Sequence, residues 1–84
     1  MHVIGTHLVT NTFEKYPEHA AALAAWFYAV KDARWRSLDD IRSFDKHAHL
    51  KGDVCRFQVK KGLRIRCRIH LNDNTVQLLE AQSA

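Results

Sequence analysis

Between Leu63 and Leu71 the chain alternates without a break. Leu63, Ile65, Cys67, Ile69 and Leu71 are apolar, and Arg64, Arg66, Arg68 and His70 fill the places between them. Guanidinium groups grip phosphate oxygens in two-pronged fashion and stabilise the negative charge of a phosphorane. Metal-free RNA cleavage also needs a base for the ribose 2′-hydroxyl and an acid for the leaving oxygen. Arginine stays protonated and serves poorly there, whereas imidazole changes charge near neutral pH. Arg64, Arg66 and His70 are therefore the candidate catalytic residues.

The period of two requires a strand. Successive side chains then point to opposite faces, with the apolar set in a core and the cations opposite. A helix would scatter the same charges around its circumference. Upstream, Cys55, Phe57 and Val59 alternate with Arg56, Gln58 and Lys60, and Lys61-Gly62 makes a short turn into the Leu63 strand. The two segments read as an antiparallel hairpin with one basic face. Antiparallel sheets often turn a polar face to water, but such a face ordinarily mixes signs. No carboxylate interrupts this row, so Arg56, Lys60, Arg64, Arg66 and Arg68 are the candidate RNA-binding residues. Neutralising about four phosphates of a single strand gives a log–log salt slope of roughly −3.

The remaining segments supply the elements that hold this hairpin. His2-Val3-Ile4 is a short β-branched candidate strand. Thr6 stands where it can cap a helix to Tyr16, with Leu8, Thr12, Phe13 and Tyr16 on one face. Pro17 suits the first turn of a second helix running to about Arg34, with Ala20, Leu23, Ala24, Phe27 and Val30 as its apolar stripe. Trp26 and Trp35 read as core aromatics. Ser37-Leu38-Asp39-Asp40 resembles a capping box and opens a short helix to Phe44, with Leu38, Ile41 and Phe44 inward. Asp45 to Gly52 reads as a connection. Asn72-Asp73-Asn74 is a tight turn into a last strand from Thr75 to about Ala81. The predicted fold class is α+β, with N-terminal helices packed on a small antiparallel sheet in one domain, residues 1–84.

A net charge of +4 over 84 residues favours phosphate-rich partners. No apolar run reaches the roughly 20 residues of a membrane span, and the first residues lack a signal peptide's pattern, so a cytoplasmic protein with no membrane partner is expected. Cys55 and Cys67 fall at inward strand positions and read as free, buried thiols. His47 and His49 with Cys55 match no compact zinc spacing, so no metal is expected. Phosphate loops, nucleophile elbows and HExxH helices are missing from the sequence, and no cofactor is expected.

The chain resembles the HigB-type toxins of bacterial type II toxin–antitoxin systems, relatives of RelE and ParE. The resemblance rests on Met1-His2-Val3-Ile4, Leu8, Phe13-Glu14-Lys15-Tyr16-Pro17-Glu18-His19, Leu23 to Trp26 and Val30-Lys31-Asp32-Ala33-Arg34-Trp35. It continues through Ser37-Leu38 and the helix to Phe44, then Phe57-Gln58-Val59-Lys60 with Gly62, Leu63, Arg64 and Ile65. It implies an mRNA interferase acting on translating ribosomes, neutralised by a cognate HigA-type antitoxin, with Arg64 at the family's strand arginine. Two departures stand out. The turn at Lys61-Gly62 is about one residue shorter than the family's, and the Gly/Met-Thr-His-x-x-Tyr-Asp segment that follows the last strand in that family is not in this sequence. The alternatives implied are a non-catalytic RNA- or antitoxin-binding member and a ParE-like toxin acting on a protein target.

Overall fold

A computed structural model describes residues 1–83. Strand β1 (His2–Ile4) leads into helix α1 (His7–Lys15), a single 3-10 turn over Pro17–His19, helix α2 (Ala20–Asp32) and helix α3 (Leu38–Phe44). Four strands follow: β2 (His49–Lys51), β3 (Val54–Lys60), β4 (Leu63–His70) and β5 (Thr75–Ser83). They form one five-stranded sheet in the order β1-β5-β4-β3-β2. The chain is thus α+β, with three helices on a mixed sheet. Every pairing is antiparallel except β1 with β5, which is parallel. The helices of α1, α2 and α3 supply the long crossover that a parallel pair requires.

The helix starts differ in how they are capped. Ser37 has extended backbone, and its Oγ accepts from Asp40 N at 3.3 Å. Asp40 in turn accepts from the Arg36 N–H at 2.8 Å, so the predicted capping motif forms with its return bond one residue earlier. Thr6 makes no side-chain capping bond, contrary to expectation, because its own backbone is already helical. Pro17 starts a 3-10 turn rather than α2 itself. The far end of α2 receives the Met1 ammonium, which donates to the Lys31 and Ala33 carbonyls and complements the helix dipole.

The core lies between the helices and one face of the sheet. From β3, β4 and β5 it takes Cys55, Phe57, Leu63, Ile65, Cys67, Ile69, Val76 and Leu78, and from above Val9, Leu23, Trp26, Val30, Trp35 and Ile41. Phe57 is its hub. The ring lies 5.6 Å from Trp26, 5.6 Å from Trp35 and 5.9 Å from Phe44, centroid to centroid. Burial of such a ring is worth about 1.5–3 kcal/mol before the gain from edge-to-face contacts. The predicted inner face of α3 is only partly right: Ile41 is buried, but Leu38 is 45% exposed at the first turn.

Two bulges set the register around β4. On β3, Gln58 pairs with Arg64 and Lys60 with Leu63, leaving Val59 without a partner. On β5, Leu78 pairs with Cys67 and Glu80 with Arg66, leaving Leu79 extra. An extra residue reverses the alternation beyond it. β4 has no such interruption and carries the expected pattern from end to end, with Leu63, Ile65, Cys67 and Ile69 buried and Arg64, Arg66 and Arg68 exposed.

Candidate nucleic-acid interface

The face away from the helices holds the cations, arranged in rows across the strands. One row runs His49, Arg56, Arg66, Glu80. A second runs Lys51, Val54, Arg68, Gln77, and a third Gln58, Arg64, Gln82. Ile69 N–H donates to the Asp53 carbonyl at 2.7 Å, which makes Cys55/Cys67 a hydrogen-bonded pair two steps on. Arg56 and Arg66 therefore occupy the intervening site, where Cα atoms approach to about 4.5 Å and side chains are closest. Like charges facing one another there destabilise a sheet unless an anion joins them.

Part of that anion comes from the protein. Glu80 Oε2 lies 3.1 Å from the Arg66 guanidinium, and Asp53 Oδ2 lies 3.4 Å from Arg68 Nε. Sequence alternation missed Glu80, because counting by twos from Val76 and Leu78 puts it on the core side. The bulge at Leu79 turns it outward to meet Arg66. Asp53 was legible in principle, since it sits in the turn immediately before Val54, which pairs with Arg68. Among the described residues, Arg56 and Arg64 make no ion pair. They lie between two shallow depressions, one of about 150 Å³ shared with Arg66, Glu80 and Gln82, the other of about 210 Å³ shared with His47, His49 and Gln58.

The two remaining sequence candidates stand apart. Lys60 pairs with core-facing Leu63, so the bulge at Val59 removes it from the Arg row and places it at the hairpin end. His70 is half-buried at the far end of β4, beside a depression of about 510 Å³ that Asp53, Asp73 and Leu50 also line. It lies six positions along the strand from Arg64, a span of about 20 Å at about 3.3 Å per residue. Arg64 and Arg66 are thus together, and His70 does not join them. His47 and His49 are the imidazoles that do stand beside Arg64. The short β2 that carries His49 is missing from the sequence reading, because His49-Leu50-Lys51 is too brief for its alternation to register.

The thiols lie beneath this face. Cys55 and Cys67 are opposite one another, fully buried and free. Burial, and then the nearby Asp45 carboxylate, push the Cys55 thiol from 9.0 up to about 12. Burial, and then Cys55, raise Cys67 further still. Both remain protonated and apolar at physiological pH, as packing residues under the arginines.

The fold and this surface define a small α+β domain with helices on one side of its sheet and an arginine-rich face on the other. No protein-family model and no curated protein matches the chain. Among the described residues, no helix is long and apolar enough to cross a membrane, and no three His, Cys, Asp or Glu side chains are gathered to hold a metal ion.

Proposed function

We propose that this chain is a HigB-like toxin of a type II toxin–antitoxin system that binds mRNA through its arginine face, in the cytoplasm on translating ribosomes, and is restrained by a cognate HigA-type antitoxin. The observation that carries the reading is the Arg56–Arg64 pair. Both guanidinium groups are exposed on the helix-free face and are not engaged by any carboxylate among the described residues. Each is available for two-pronged contact with a phosphodiester. Arg66 stands beside them, partly neutralised by Glu80.

As an mRNA interferase, the protein would use Arg64 and Arg66 to stabilise charge on the phosphorane. His70 is too far along β4 to move a proton at the same phosphate. That separation favours a second reading, a member that binds RNA or antitoxin without cutting. Induction without antitoxin, with growth and mRNA 5′ ends followed together, tests both. The interferase reading expects growth arrest and new 5′ ends, each lost in an Arg64→Ala, Arg66→Ala variant. Soluble protein with unchanged growth and unchanged ends defeats it. RNA retained without new ends supports the second reading, and toxicity that survives the double variant points to a protein target.

A further inference from the structure

The depression of about 210 Å³ beside Arg56 and Arg64 is lined by side chains from four places in the chain. His47 comes from the bend after α3, His49 from β2, Arg56 and Gln58 from β3, and Arg64 from β4. The register sets His49 directly opposite Arg56. Asp45 fastens this corner: Oδ1 accepts from His47 N at 2.9 Å, and Oδ2 accepts from Gln58 N at 2.9 Å. Each oxygen of that carboxylate already receives a backbone N–H, and no carboxylate is among the residues that line the hollow. The two imidazoles are exposed at its rim.

The charged groups around them are Asp45 and Lys46 from the bend, Lys51 from β2, Arg56 from β3 and Arg64 from β4. Most of this surrounding charge is positive. An oligonucleotide phosphate in the hollow adds a negative charge beside both imidazoles, and an opposite charge that close favours the protonated form. Arginine keeps its charge at every pH of interest, whereas imidazole gains its charge on the acid side of neutrality.

Resting on the RNA reading above, we infer that His47 and His49 are the pH-dependent half of a phosphodiester subsite whose permanent half is Arg56 and Arg64. RNA binding at this subsite takes up protons, and its affinity rises as pH falls.

The test titrates the full chain with a labelled single-stranded oligoribonucleotide over a range of salt, at about pH 5.5 and about pH 8. Two added phosphate contacts steepen the log–log salt slope by about 1.4, which at about 0.1 M salt is a gain in affinity of about 25-fold. A His47→Asn, His49→Asn variant is expected to keep the alkaline affinity at both pH values. Both positions are exposed, and an unchanged circular dichroism spectrum checks that the variant folds. A slope indifferent to pH, or a pH effect that survives in the variant, overturns the inference and leaves the RNA reading standing. Loss of RNA binding at both pH values removes the RNA reading and the subsite with it.

Discussion

Replacing Glu80 with Gln separates what this face does for stability from what it does for binding. Glu80 holds Arg66 at 3.1 Å, with the two side chains 44% and 53% exposed. An ion pair this open is worth about 0.2–1 kcal/mol. Its loss also leaves Arg56 and Arg66 facing each other without a counter-charge, a penalty of similar size for like charges directly opposed. Together these predict a loss of about 1 kcal/mol, or about 4–8 °C in Tm for a domain of this size. The side chain keeps its shape, so the strand pairing should survive. Binding moves the other way. Arg66 becomes a third cation free to meet RNA, which steepens the salt slope by about 0.7 and tightens binding about five-fold at about 0.1 M salt. Urea unfolding and RNA titration on the same preparation measure both changes. A variant that is less stable and binds RNA no better, or worse, refutes the placement of Arg66 at the RNA surface.

Two further outcomes follow from the core. Phe57→Ala removes the ring that Trp26, Trp35 and Phe44 share, at a cost of about 3–5 kcal/mol, most of the stability of so small a domain; thermal unfolding should show a broad or absent transition. The buried thiols make stability fall at alkaline pH. Their folded pKa values lie above the unfolded value of 9.0, so their contribution is complete below pH 9.0 and declines as pH rises toward the folded value, which is about 12 for Cys55. Each thiol costs about 1.4 kcal/mol per pH unit in that window. Urea unfolding at several alkaline pH values checks this, and a Cys55→Ala, Cys67→Ala variant should lose the slope even if it is less stable overall.

Much of this architecture is readable from residue order alone. Nine residues of strict alternation identify β4 and its two faces, and the Ser37 cap with Phe44 six residues beyond Leu38 marks α3 correctly. Trp26 and Trp35 are core residues, as their size suggests. What alternation cannot carry is phase across a bulge. Counting by twos sends Lys60 into the arginine row and Glu80 into the core, and both assignments reverse once Val59 and Leu79 are unpaired. Neither bulge residue is glycine, so nothing local announces it. The parallel β1–β5 pair is likewise hidden, because it joins opposite ends of the chain and depends on the helices between.

The extra residue in β5 makes length changes in that strand unequal. Deletion of Leu79 would close the ladder into a regular one and leave Glu80, Ala81 and Gln82 with the partners they have now. Insertion of one residue beside Ala81 would instead swap inside for outside over the residues beyond it. Among variant chains of this kind, a one-residue deletion at Leu79 would be silent for the charge pattern, while a one-residue insertion near Ala81 would turn the side chains beyond it to the opposite face without altering any of them.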